Sequence, residues 1–243
     1  MVQMVNGVSS PLVNTITKIK QIKRNLEFWW FYKNFYNHFF FYTTEQESEL
    51  KELFKIRYRV YCEEYNYISK ENTKNGLEKD EWDSHSTHFI IRDEEKEIAA
   101  TVRMILNSDD SFPLLGNFKI DVDTSSVNLS KAAEISRLIV TKKYRRHHLL
   151  LVLIKGMYLF VKEKGLENVF SVMDDKLLPM LTKIGLPFRK IGPPSIYQGL
   201  TYPCMLNVKE FEICLQEIDP RLLKFISEGV IKYDGTNHKY SVS

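Results

Sequence analysis

The sequence predicts an α/β fold, and three stretches predict it. Glu134-Ile135-Ser136-Arg137-Leu138-Ile139-Val140 ends in a run suited to a buried strand. A basic turn, Lys142 to His148, follows it, and then an almost unbroken apolar run of helical length from Leu149 to Val161. Two further strand-like runs, His88–Arg92 and Ile98–Leu106, flank the charged turn Asp93-Glu94-Glu95-Lys96. A strand at Val169–Met173 leads to a helix over 176–183 that Gly185-Leu186-Pro187 ends. Strand, basic turn and helix is an arrangement in which a helix N-terminus can meet a phosphate. Its plainer reading is an ordinary β-α unit with a charged strand end. Glu, Ser and Arg inside a buried strand are costly unless paired or used, which favours a task.

Composition sets the bounds. The chain has 243 residues, 44% hydrophobic and 27% charged, as expected of a globular protein. The net charge of +3 gives no global nucleic-acid footprint. The basic character is local, with seven Lys or Arg and no acid between Ile135 and Lys162. Cys62, Cys204 and Cys214 have no paired spacing, which argues against a disulfide scaffold or zinc site and for a reducing cytoplasm. No signal-peptide pattern is seen at the N-terminus.

From the N-terminus, residues 1–27 are polar and basic, and eleven of the fifteen residues from Phe28 to Tyr42 are aromatic. As a helix this block would be about 22 Å long, short of the ~30 Å hydrocarbon core, so it is a poor membrane span. Rings beside Lys18, Lys20, Lys23 and Arg24 suit a lipid interface through residues 18–42, at the inner membrane surface. Packing on the main domain or on a partner chain is the alternative. Thr44 and Glu47 have the spacing of a capping box, opening a helix that runs to Glu64 and places Arg57 and Tyr61 on one face. A long polar loop, 66–88, carries Glu78, Asp80, Trp82 and Asp83. Residues 107–130 are turn-rich. Phe188–Ile191 and Met205–Val208 complete the strands, and 209–228 is helical with a break at Asp219-Pro220. The expected organisation is an N-terminal aromatic helical extension over 1–43, a domain over 44–208, and a C-terminal helical segment and tail over 209–243.

Four groups stand out in order: Arg57-x-x-x-Tyr61 with Tyr67, Asp80-x-x-Asp83, Arg103, and Glu134-x-Ser136-Arg137. Their order and spacing resemble the acyl-homoserine lactone synthases, which show Arg-x-x-x-Phe, Trp, Asp-x-x-Asp, Arg and Glu-x-Ser-Arg. The fuller text is similar to the N-acyl amino acid synthases, including exosortase-associated acyltransferases. It includes Arg57-Tyr58-Arg59-Val60-Tyr61, Glu78-x-Asp80-x-Trp82-Asp83-x-His85-Ser86-x-His88-Phe89 and Gly199-x-x-x-Pro203. The resemblance spans residues 47–208. It implies a GNAT-like fold, a mixed central β-sheet flanked by helices. It also implies transfer of a fatty acyl group from a thioester, usually on an acyl carrier protein, to the amino group of an amino acid or related amine. No permanently bound cofactor or metal is expected; the thioester, on carrier protein or coenzyme A, is a co-substrate.

Carried over by position, Glu134, Ser136 and Arg137 take the chemistry. Arg57, Tyr61, Tyr67, Asp80, Asp83, Arg103 and Phe118 take substrate binding. Glu134 is the candidate to accept the amine proton. In a regular strand Arg137 points away from Glu134's face. Either a bulge redirects it or it braces the Asp80/Asp83 loop by ion pairing, the preferred reading. Two departures bear on the substrates. Tyr61 and Tyr67 stand where the lactone synthases carry Phe and Trp, which weakens S-adenosylmethionine as amine donor. The GNAT pyrophosphate loop, Gln/Arg-x-x-Gly-x-Gly/Ala, falls on Arg145 to Leu150 with both small positions filled by large side chains. Close backbone approach to a pyrophosphate normally needs glycine there, so a protein-borne thioester is favoured. Lys142, Lys143, Arg145 and Arg146 would complement an acidic carrier protein. A coenzyme A-dependent transferase and a non-catalytic membrane-associated adaptor are the rivals. Cys62, mid-helix with no evident His partner, suits direct transfer better than a covalent route.

Overall fold

The structure is a computed structural model that describes residues 29–30, 33–35, 38–106, 111–122, 127–145, 147–196 and 199–228. These fall into two compact units, one ending at Phe39 and the other beginning at Phe40. In the first, Trp29, Trp30, residues 33–35 and His38 are helical, and Phe35 stacks on Phe39 at 5.3 Å. The expected basic stretch 1–27 lies outside the described residues.

Strand β1, Phe39–Thr44, runs into the second unit. There follow helix α1 (Glu47–Tyr58), strands β2 (Ser86–Asp93) and β3 (Ile98–Leu106), the short helix α2 (Pro113–Asn117) and strand β4 (Ala132–Val140). Helix α3 (Leu149–Glu163), strand β5 (Asn168–Asp174) and helix α4 (Leu177–Lys183) come next. Two-residue strands β6 (Arg189–Lys190) and β7 (Ser195–Ile196), strand β8 (Leu200–Asn207) and helices α5 (Val208–Ile218) and α6 (Pro220–Ser227) complete it. Among the described residues the sheet runs β1-β2-β3-β4-β5-β8-β6, with β7 paired to β8. Pairing is antiparallel at β2/β3, β3/β4 and β5/β8 and parallel at β4/β5, which makes the sheet mixed.

The aromatic block is not one helix. Its last residues form β1, where Phe41 and Tyr42 are buried; Phe41 stacks on Phe89 of β2 at 6.1 Å. Successive strand residues face opposite sides of the sheet, so Phe41 turns toward α3 and Tyr42 toward α1, where its hydroxyl donates to Glu49, and both rings belong to the core. Helix α3 crosses the Phe41 face closely because Gly156 has no side chain. A Cβ there would lie 2.0 Å from Phe41 Cζ. The expected capping box also fails. Thr44 sits in β1, where its Oγ1 accepts the Gln46 N–H and donates to Glu49, while Glu47 already lies in the first turn of α1. After Tyr58 the helix widens into a π-helical turn, Arg59–Glu64. The break at Asp219-Pro220 is real: the Asp219 side chain caps α6, with Pro220 as its first residue.

Two features of the centre position the site. Strand β4 pairs with β5 only from Ala132↔Asn168 to Ile135↔Ser171. Beyond that point β4 stays with β3, while β5 pairs with β8 as far as Asp174↔Thr201, so the two parallel strands part. Across β3, the register passes from Thr101↔Ile139 to Arg103↔Ser136, so β4 carries one extra residue there. The bulge centres on Arg137, whose φ of 53° is rare for a residue with a side chain.

Candidate active site

Register fixes which side chains meet. His88, Arg103 and Ser136 are cross-strand partners on one face, and one step along that face lie Ile105, Glu134 and Phe170. Glu134 thus stands between a charged row and an apolar row. Its carboxylate is 3% exposed and accepts the Leu114 N–H at 2.8 Å from the first turn of α2. Burial pushes its pKa up to about 7, against the pull of that N–H, Arg103 and Arg137.

The charged row is a buried web of three arginines and three carboxylates. Arg57 Nε donates to Glu78, and its Nη1 donates to Asp83 Oδ1 at 2.6 Å. Arg103 Nη1 reaches Asp80 Oδ1 at 2.5 Å and Asp83 Oδ1 at 2.9 Å, while its Nε donates to Ser136 Oγ at 2.9 Å. Arg137 Nη2 bridges Glu78 Oε1 at 2.9 Å and Asp80 Oδ2 at 3.0 Å. The Asp-x-x-Asp spacing has a local reason as well. Asp80 caps the 3₁₀ turn Glu81–His85 through the Trp82 N–H, and Asp83 accepts the Asp80 N–H, a reciprocal capping box. One turn therefore holds both carboxylates in place for the arginines.

The electrostatics follow from this pairing. Burial alone would raise Asp83, but Arg57 and Arg103 outweigh it and hold its carboxyl well below the usual range. Glu78 is likewise held down by Arg57 and Arg137 against burial. Desolvation drives His88 down to about 4 despite the nearby Asp83, so its imidazole is neutral at pH 7. Its Nδ1 and the Nη2 of Arg57 are buried without a hydrogen-bond partner among the described residues.

Aromatic residues border the web. Tyr61, in the π-helical turn, donates to the Leu138 carbonyl at 3.2 Å, and Arg137 Cζ lies 5.7 Å from its ring centre. Tyr67 stacks on Tyr65 at 5.2 Å and lies 6.4 Å from Tyr61; Tyr65 and Tyr67 are both partly open to solvent.

The structure brings together Arg57, Tyr61, Asp80, Asp83, Arg103, Ser136 and Arg137, with Glu134 adjoining and Tyr67 at the rim. For Arg137 the two alternatives both occur, since the bulge turns it onto the site face and there it braces Glu78 and Asp80. Other expectations change. Arg57 is 1% exposed with its head group inside the web, where it braces Glu78 and Asp83. Phe118 is packed in an apolar cluster with Phe112, Phe170 and Ile191 and is a core residue. The basic turn is partly neutralised within the chain: Lys143 pairs with Asp93 and Glu95, and Arg145 with Glu64. Lys142 is exposed, and Arg146 lies outside the described residues. Cys62 is buried, and burial pushes its thiol up, which does not suit a nucleophile. Among the described residues no group of three or more His, Cys, Asp or Glu is placed to hold a metal ion.

Two contributors escaped the sequence reading as site residues. Glu78 takes two of the three arginines, and the only hint was its place two residues before Asp80. The Leu114 N–H left just one mark, Phe112-Pro113, a Pro at the first position of a helix.

Residues 56–155 match the family described as an acetyltransferase (GNAT) domain. The chain has the GNAT fold. In sequence the chain is similar to acyl-homoserine-lactone synthases, at 22% identity to that of Aeromonas salmonicida over 148 residues, 58% of this chain and 70% of the relative. The enzyme of Aeromonas hydrophila is 21% identical over the same shares. Among solved structures it is similar to BjaI, a CoA-dependent acyl-homoserine lactone synthase with SAM and isopentyl-CoA. That match has a TM-score of 0.59 and 18% identity, and covers 74% of this chain and 89% of BjaI. FeeM, an N-acyl amino acid synthase from uncultured soil microbes, matches with a TM-score of 0.51 and 13% identity, over 72% and 94%. These likenesses establish the GNAT architecture. In the second unit no described helix is long and apolar enough to cross a membrane.

Proposed function

We propose that the chain is an N-acyltransferase that moves an acyl group from a thioester to the amino group of an amino acid or related amine. The observation that carries this reading is Glu134, a buried carboxylate with pKa near 7 at the point where β4 and β5 part. A thioester is already activated, so the reaction asks for a neutral amine held against the carbonyl carbon. The amine nitrogen bonds to that carbon and the C–S bond breaks. The amine's surplus proton goes to Glu134, directly or through water, and passes on to the thiolate, which leaves as the thiol. A carboxylate of pKa near 7 accepts a proton well at neutral pH and can return it. Beyond Ile135 the β5-facing edge of β4 has no partner strand in β5, while its other edge stays with β3, so an N–H on the open edge can face a developing oxyanion.

The web holds this arrangement together. Three positive and three negative groups balance, so it fixes Ser136, Arg137 and the 80–85 turn without presenting net charge to the amine. Tyr67 and Tyr61 form the wall against which that amine lies.

For the donor, a carrier-protein thioester is favoured over coenzyme A. Arg145 to Leu150 has no glycine to let the backbone close on a pyrophosphate. Lys142 and the partly exposed Arg145 would meet the acidic carrier. The aromatic, basic N-terminus, formal charge +4 over 1–42, supports a peripheral contact with anionic lipid; Trp30 is 70% exposed. Mass spectrometry of reactions between acyl thioesters, on carrier protein and on coenzyme A, and a panel of amino acids and S-adenosylmethionine tests the function. An N-acyl product formed from carrier-bound thioester is expected, and turnover of coenzyme A thioesters alone would reassign the donor.

A further inference from the structure

Glu134's neighbours on its own face differ on its two sides. Toward Ser136 lies the ion-pair web. An acyl chain there would separate charged partners already taken out of water, a costly exchange. Toward Ala132 and across to β5 lie apolar side chains, so an acyl chain turned away from the web meets this side. It is filled. Phe170, the register partner of Glu134, and Phe112 are both 0% exposed, with ring centres 5.5 Å apart. Phe112 sits two residues before Leu114, whose N–H holds Glu134, so ring and carboxylate are anchored to the same turn. Phe118, Ile105 and Ala132 close the cluster behind them.

We infer that the Phe112–Phe170 pair limits acyl length, so that the chain takes a short acyl group, with Phe170 the specificity-determining residue. This rests on the acyl-transfer reading above. Each methylene that fits is worth roughly fourfold in binding, from about 0.8 kcal/mol per buried CH₂. A chain that must displace two buried rings forfeits that gain.

The test uses the full chain with carrier-protein and coenzyme A thioesters graded from acetyl to dodecanoyl, and the amine panel above. Relative kcat/KM is measured for wild type, Phe170→Ala and Phe170→Leu. Wild type should favour the short members. Phe170→Ala should raise the dodecanoyl-to-butanoyl ratio by at least about tenfold, the worth of only two or so added methylenes. Phe170→Leu, the milder change, should move the ratio the same way by less, and decides the matter if the alanine variant does not fold. A wild type that already prefers dodecanoyl, or a ratio unmoved in the folded variants, overturns the gate while leaving acyl transfer standing. Consumption of no thioester with any amine overturns both.

Discussion

The Leu114 N–H donates to Glu134 Oε2 at 2.8 Å, tying the first turn of α2 to the strand where β4 leaves β5. This bond fixes the carboxylate's orientation yet leaves it hard to ionise, because the desolvation it suffers exceeds what one N–H and two arginines return. The same group is therefore both the proposed proton acceptor and a local burden on the fold.

The first consequence is a pH profile. With Glu134 titrating near 7, kcat/KM for a carrier-bound thioester should rise through about pH 7 as the carboxylate loses its proton. Glu134→Gln should lower turnover by on the order of 10²–10⁴ and abolish that limb. A folded Glu134→Gln variant with near-wild-type turnover would remove Glu134 from the chemistry.

Stability should respond in the opposite direction. The carboxyl's pKa is 4.5 when unperturbed and about 7 in the fold, so the folded state holds its proton longer than the unfolded chain. The stabilisation this gives is complete below about 4.5 and disappears as pH rises through about 7. Glutamine has no such proton to lose. Urea unfolding of wild type and Glu134→Gln on both sides of this window should show the variant gaining relative stability by on the order of 3 kcal/mol as pH rises. A difference that stays constant with pH would mean the carboxyl is not perturbed.

Arg57 offers a test of the web as a brace. Arg57→Met keeps much of the side-chain volume but leaves Glu78 and Asp83 short of a buried cation. Loss of one partner of a buried pair costs roughly 3–5 kcal/mol. Denaturant melts should show this, and KM for the amine should change less than stability does. A large KM effect in a variant of unchanged stability would return Arg57 to substrate binding.

The crossing of α3 on β1 can be tested apart from the site. Gly156→Ala gains helix propensity of about 1 kcal/mol but thrusts a methyl into the buried Phe41 ring. Overpacking of about 1–3 kcal/mol should win, giving a net loss in stability. Adding Phe41→Leu should recover part of it. If Gly156→Ala alone raises the melting temperature, the helix does not lie as close to β1 as the structure places it.

Much of this protein was legible from residue order. Short-range physics writes itself into sequence. The apolar run of α3, the hairpin-like pair β2 and β3, the Asp219-Pro220 break and the acid spacing of the 80–85 turn each depend on neighbours a few positions apart. So did the suspicion attached to Glu134, Ser136 and Arg137, since charge inside a buried strand asks for partners. The identity of those partners was partly visible, as arginines and aspartates in a fixed order.

What the sequence could not supply was decided by contacts between distant segments. Phe28–Tyr42 has rings at nearly every position, so its periodicity favours neither helix nor strand, and only the free edge of β2 made strand of its last residues. Glu78 is one acid among several in a polar loop until the fold sets two arginines against it. The bulge at Arg137 exists only as a mismatch with β3, invisible in β4 alone. Phe118 was expected in substrate binding by its place in the order, and packing placed it in the core. The sequence by itself determined the central elements β2, β3, β4 and α3, and which charged residues needed an explanation. Tertiary structure determined which way each points, because register, bulges and burial are properties of pairs of strands that no single strand contains.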